Sequence, residues 1–242
     1  MVGVAFILHQ GWATQLWPER SFYAGDLTDL FVGSIFTAIG ASAAFGAIFG
    51  DARAATGGLL ALVLLFGSLA LVMMLHPSAP ADRTLQIAAL WVLAAAALAT
   101  VPWSLRAPVV DLRPAPPAIR LVFLAFTIVL VNAAALLILA VPNVFPWPLS
   151  PLTSALYGCL FLGVSVNYAV AAVRGKMIDG KVSLFGFLIY DLILIVPFVQ
   201  RFPTVPRENF WSLSVYVFVL VFSAAAAVWL FWYDRRLDRP AA

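Results

Sequence analysis

Charge is scarce in this chain. Asp, Glu, Lys and Arg make up 10% of its 242 residues, and apolar residues make up 64%. A soluble domain carries about a quarter charged residues, so a water-soluble fold here would need a vast buried core. Cysteine is scarcer still: Cys159 stands alone, which excludes an internal disulfide and any CxxC redox or zinc pair. Set in an apolar run, it reads as a small packing residue. Two histidines, His9 and His76, are too few for the histidine clusters of membrane desaturases and speak against a haem-bearing bundle. No HExxH, GxSxG or P-loop is present. The last apolar run contains no lysine, which rules out a retinal Schiff base. Tyr190-Asp191 has the form of an intramembrane aspartyl protease motif, but that chemistry needs two carboxylates sharing a proton. No second acid lies inside an apolar run, and there is no GxGD. No catalytic residue, cofactor or metal site is therefore expected. An enzyme acting on a lipid-soluble substrate is the weakest functional class.

What the chain has is long uncharged stretches. A helix needs about 20 apolar residues to span the hydrocarbon, and a backbone in lipid must satisfy its own hydrogen bonds. A β-barrel would alternate apolar and polar residues, and runs such as 59–75 and 85–101 do not. The expected fold is an all-α, polytopic transmembrane bundle of seven spans in one membrane domain. The spans fall at about 28–49, 55–75, 84–102, 118–141, 153–173, 182–200 and 209–233. Gly- and Pro-rich segments at 50–51, 77–80, 114–117, 142–151, 175–180 and 203–206 separate them.

Placed on the loops, the net charge of +3 is a topology signal and not a nucleic-acid footprint. Ten of the 14 Lys and Arg residues fall on the first, third and fifth loops and the C-terminal tail, against four on the other side. The richer side is expected to face the cytoplasm, putting the tail 234–242 inside. Arg174, Lys176 and Lys181, with Arg235 and Arg236 of the tail, are expected to meet anionic headgroups. Trp103, Trp147, Trp211, Trp232 and Tyr233 mark span ends, as an aromatic belt would. The uncharged loop 142–151, with its prolines and Trp147, reads as a stiff re-entry lying in the interface, with capping a cavity or docking a partner as alternatives.

Shifting the chain by 125 positions aligns Leu27-Thr28, Gly33 and Phe36 with Leu152-Thr153, Gly158 and Phe161, and gives eight identities over 27–60. This predicts parallel repeats, 28–102 and 153–233, joined by a linker span at 118–141 in a 3+1+3 arrangement. Thr28 and Thr153 would sit near N-caps. Gly33 and Gly158 are expected at helix contacts, facing each other across the pseudo-axis. The segment 1–27 begins with an apolar stretch too short to span, and 1–16 aligns with the second half of the linker span. It reads as a half-inserted or interfacial partial copy of that span, or as the end of a full one if the gene start lies upstream.

The runs Pro142-Asn-Val-Phe-Pro-Trp-Pro-Leu-Ser-Pro-Leu-Thr153, Gly158-Cys-Leu-Phe-Leu-Gly163 and Leu184-Phe-Gly-Phe-Leu-Ile-Tyr-Asp-Leu-Ile-Leu-Ile195 resemble a family of bacterial multi-span membrane proteins. Its members carry an FPW-x-L-[ST]-P tract. The resemblance is strongest over 141–231. It implies a bacterial origin, hence the inner membrane, and a shared fold. It brings no activity, cofactor or functional residue.

Asp191 is the one ionisable side chain deep in a span. A central acid costs about 2.5–3.5 kcal/mol on insertion scales, so it should face the bundle and find a partner. No basic residue occupies a span centre, which leaves the neutral donors Asn132, Asn167, Tyr168 and Tyr190. The functional reading is a protonatable or cation site; the structural one is an interhelical hydrogen bond. Two main classes follow. One is a small-solute or ion transporter with its site near Asp191, Asn132 and Asn167. The other is an accessory or scaffold subunit of a larger membrane complex, or a homo-oligomer. A continuous polar cavity reaching Asp191 favours the first, and a dry, packed bundle the second.

Overall fold

The structure is a computed structural model that describes residues 2–8, 26–49, 51–76 and 83–237. Among them are eight α-helices: α1 (Val2–Ile7), α2 (Asp26–Ile48), α3 (Ala55–Leu75), α4 (Thr84–Arg106), α5 (Pro117–Ile138), α6 (Pro151–Arg174), α7 (Met177–Gln200) and α8 (Phe210–Leu237). Seven, all but α1, are long and apolar enough to cross a membrane. The protein is thus an all-α, multi-pass membrane protein whose outer faces meet lipid. His9, Arg20, Gly50, Arg239, residues 9–16 and the loop 77–80 lie outside the described residues.

Local chemistry sets the helix ends. Pro117 and Pro151 open α5 and α6, where a missing N–H costs nothing. Ser150 caps α6 by accepting the Thr153 N–H at 3.1 Å. Thr153 is therefore capped, and is not the cap expected from sequence. Gly175 ends α6 in the left-handed region (φ 57°) and returns its N–H to Ala171 O. Ala140 takes a similar turn (φ 52°), so α5 stops short of the span end expected at 141. Pro102 lies within α4, which runs on to Arg106.

The helices stand in two rows. One row holds α1, α2, α7 and α8 in that order; the other holds α4, α3, α6 and α5. Contacts within each row are extensive, and contacts between rows (α2 with α3, α6 with α7, α5 with α8) are sparse. Each row takes helices from both halves of the chain.

Two glycine contacts sit at corresponding places in the rows. A Cβ on Gly163 of α6 would lie 3.1 Å from Ala61 O of α3. One on Gly186 of α7 would lie 2.8 Å from Ala38 O of α2. Shifted by 125 positions, one contact becomes the other. Lipid offers no hydrophobic drive for helices to associate, so such close backbone approach is what packs them. Gly33 and Gly158 also lie at contacts, but with different helices. Gly33 abuts Gly3 and Phe6 of α1, and Gly158 abuts Ala134 and Ile138 of α5. They do not face each other.

One end of the bundle carries most of the basic residues. Arg113 pairs with Asp111 at 2.8 Å and Asp234 at 2.9 Å, Lys181 with Asp234 at 2.9 Å, and Arg174 with Asp179 at 3.3 Å. Lys176 Nζ donates to Leu112 O, and the 3-10 turn Ala52–Ala54 is held by Arg174 on Arg53 O. The expectation that Arg174 and Lys181 reach for headgroups is corrected: carboxylates on neighbouring segments hold both. Arg236 instead covers the Trp232 ring at 3.6 Å.

At the opposite end the loop 142–151 folds inward and does not lie along the interface. Phe145 and Trp147 are buried, and Asn209 Nδ2 donates to Phe145 O at 2.9 Å. Trp147 leaves the aromatic belt for this plug, whereas Trp103, Trp211 and Trp232 are exposed. The loop is apolar enough to enter the bundle because the aromatic ends of α2, α6 and α8 receive it. Phe31 lies edge-on to Phe145 at 5.0 Å and against Tyr157 at 4.8 Å, and Tyr216 meets Phe145 at 5.4 Å.

Candidate functional site

The sparse contact between the rows leaves a cavity of about 1000 Å³. That is the upper end of the roughly 300–1,000 Å³ range for small-molecule sites. Its walls come from α2, α3, α5, α6, α7 and α8, with the aromatic plug at one end. Small residues widen it where α2 faces α3: Ser42, Ala43 and Gly46 on one side, Ala55 and Gly58 on the other. A Cβ on Gly58 would meet nothing within 4 Å.

Most of the wall is apolar. Its polar groups are hydroxyls and amides: Ser42, Asn132, Asn167, Tyr168, Ser183, Tyr190, Ser212 and Tyr216. The one charged lining residue is Asp51, beside the basic end. Its two oxygens accept the Ala54 and Val110 N–H groups, each at 3.0 Å. The cavity therefore presents hydrogen-bonding groups without a free charge.

Four of the five polar residues picked from sequence line this cavity, but they do not converge on Asp191. Asn167 Nδ2 donates to Ser183 at 3.1 Å, linking α6 to α7. Tyr190 and Tyr216 share a hydrogen bond of 3.0 Å between α7 and α8. Tyr168 is buried, stacked on Phe123 at 5.7 Å and packed on Phe187 at 5.3 Å. Asn132 is exposed, and its Nδ2 donates to Ile128 O in its own helix at 2.8 Å.

Asp191 is fully buried and does not line the cavity. Its partner is Ser223 of α8, whose Oγ lies 2.7 Å from Asp191 Oδ2. That Oγ is also 2.7 Å from Val219 O and 3.0 Å from Leu220 O. The Ser223 hydroxyl thus bridges Asp191 of α7 and the backbone of its own helix, and ties α7 to α8.

Sequence points to amides and neighbouring tyrosines as donors for Asp191, and not to Ser223, Ser183 or Tyr216, which the structure brings into the hydrogen bonds between α6, α7 and α8. Hydroxyls inside apolar spans were the available signal. No protein-family model, no curated protein and no solved structure matches this chain.

Proposed function

We propose that this protein is a membrane carrier that holds a small, mostly apolar solute between its two helix rows. The observation that carries the reading is the cavity of about 1000 Å³, apolar with scattered hydroxyls and amides. An ion or charged solute fits poorly, because the one lining carboxylate is already bound by backbone amides. The buried acid is excluded from the site and belongs to the packing of α7 on α8. The matching Gly163–Ala61 and Gly186–Ala38 contacts support reading the halves as parallel copies, a plan found in some transporters. The seat of α1 on α2, like that of α5 on α6, supports reading α1 as a partial counterpart of α5.

The test is native mass spectrometry of protein released from mild detergent. Wild type carries a bound small molecule; Gly58→Leu, which fills open space, loses it while melting at or above the wild-type temperature. A wild-type protein with no adduct, or an adduct kept unchanged in Gly58→Leu, overturns the reading.

An accessory-subunit role has one observation in its favour. Among the long helices α4 is held to the bundle almost wholly through α3, with Leu85 and Val92 exposed. A stoichiometric protein partner recovered by cross-linking through α4 in membranes would establish it. We further place the chain in a bacterial inner membrane with its C-terminus inside. The ten basic residues on that side and the resemblance over 141–231 support this placement. A C-terminal tag reached by a periplasmic probe in intact cells contradicts it.

A further inference from the structure

We propose that the gap between α5 and α8 is a lateral portal. Through it a long-chain amphiphile with a small uncharged head passes from the bilayer into the cavity. This rests on the carrier reading and adds to it a route and a cargo class.

The gap has definite edges. Toward the basic end α5 and α8 close on each other, with Phe126 and Phe222 edge to face at 6.0 Å. Toward the opposite end the loop after α5 ties to the start of α8, through Asn209 on Phe145 O and Ser212 on Asn143 O. Between these two closures the helices part, and both flanks line the cavity: Ala133 and Leu136 on α5, Val215 and Val219 on α8. Leu136 and Val215 on these flanks are both exposed. The opening lies inside two membrane spans, so the molecules at its mouth are lipid chains and not water.

Asn132 stands on this edge, exposed and lining the cavity. An amide at hydrocarbon depth is unfavourable unless something answers it, and its Nδ2 bond stays within its own helix. A hydroxyl or carbonyl on an entering molecule would answer it. Further in, the Asn167–Ser183 and Tyr190–Tyr216 pairs offer the same kind of contact. A phosphate head finds no cationic side chain in the wall, and an ammonium finds only Asp51, which is buried with both oxygens already accepting backbone N–H groups, so the wall favours a neutral head.

The test is photolabelling in proteoliposomes with two probes that share one diazirine-bearing chain, a long-chain alcohol and a phosphocholine lipid. The alcohol should label cavity positions such as Leu62 and Leu65, and excess unlabelled alcohol should compete. The phosphocholine should label only lipid-facing positions such as Leu121 and Leu124. Ala133→Trp, or Val219→Trp on the facing flank, should cut cavity labelling about tenfold. Unchanged labelling of Leu121 shows that each variant is folded. Cavity labelling that survives both variants sinks the portal and leaves the carrier standing. Equal cavity labelling by the phosphocholine sinks the neutral-head assignment. No cavity labelling in any protein sinks the portal and the carrier together.

Discussion

Gly186 gives the sharpest test of how the rows are held. An added Cβ would sit 2.8 Å from the Ala38 carbonyl oxygen, where ordinary contacts begin at 3.4 Å. The Ser42 hydroxyl is also in the way, but a hydroxyl can rotate and a helix carbonyl cannot. α2 and α7 must therefore separate by roughly 0.6 Å at this point, giving up contacts along both flanks. Overpacking of this kind costs about 1–3 kcal/mol. The expected loss for Gly186→Ala lies in that range, read from reversible unfolding in mixed detergent and SDS. Adding Ser42→Ala should not restore it, because the carbonyl and not the hydroxyl sets the distance. Gly163→Ala should behave alike, its Cβ meeting Leu65 Cβ at 2.7 Å and Ala61 O at 3.1 Å. Gly58→Ala is the control: it meets open space and should gain up to about 1 kcal/mol from helix propensity. If Gly186→Ala unfolds with the wild type, or Ser42→Ala rescues it fully, the close-packing argument fails.

Ser223→Ala should destabilise the bundle by about 0.6–2 kcal/mol, the range for interhelical hydrogen bonds in membranes. Asp191→Asn should cost less, since its amide can donate to Ser223 as a protonated acid would; a larger loss in Asp191→Asn than in Ser223→Ala, by the same unfolding assay, contradicts the pairing. Asn209→Leu removes the bond to Phe145 O and should cost about 1–3 kcal/mol. It should also speed cleavage of the 142–151 loop by an added protease, and an unchanged cleavage rate counts against the tether. Asp111 is held below its ordinary value of 3.8 by hydrogen bonds from Arg113. A depressed folded-state value means stability present above about pH 4 and lost on acidification through the lower folded value. Asp111→Asn should flatten that acid limb of the unfolding profile, and an identical profile refutes the assignment.

The seven spans were legible because lipid leaves a chain few options: length and apolarity alone select helix. The ends were less so, since Pro102 sits inside α4 and Ser150, not Thr153, caps α6. Pairing of helices was harder to read. Small residues at 33 and 158 signalled contacts, but a glycine does not name its partner, and theirs proved to be α1 and α5. The same limit applied to Asp191. Sequence showed that it needed a donor, but Ser223 lies 32 residues away and looked no different from other hydroxyls. The ion pairs at the basic end are not legible in the sequence because folding makes them: Lys181 and Asp234, for example, lie 53 residues apart.

The placement of Asp191 bears on how such proteins should be read. An intramembrane acid invites a functional reading because its insertion is costly. Here the residue is fully buried, off the cavity and bonded through one oxygen to a serine on the next helix, while its Oδ1 has no hydrogen-bond partner among the described residues. Asn132 has the weaker signal in sequence, being neutral, yet it is exposed on the cavity wall with its amide bonded within its own helix. Exposure of a polar group beside an open volume is the stronger pointer to a ligand, because no bond to another helix accounts for it. Asn132→Leu should therefore leave unfolding unchanged and weaken retention of the bound molecule, whereas Ser223→Ala should do the reverse. An Asn132→Leu protein that unfolds early while keeping its adduct would place the amide in the packing and not at the portal.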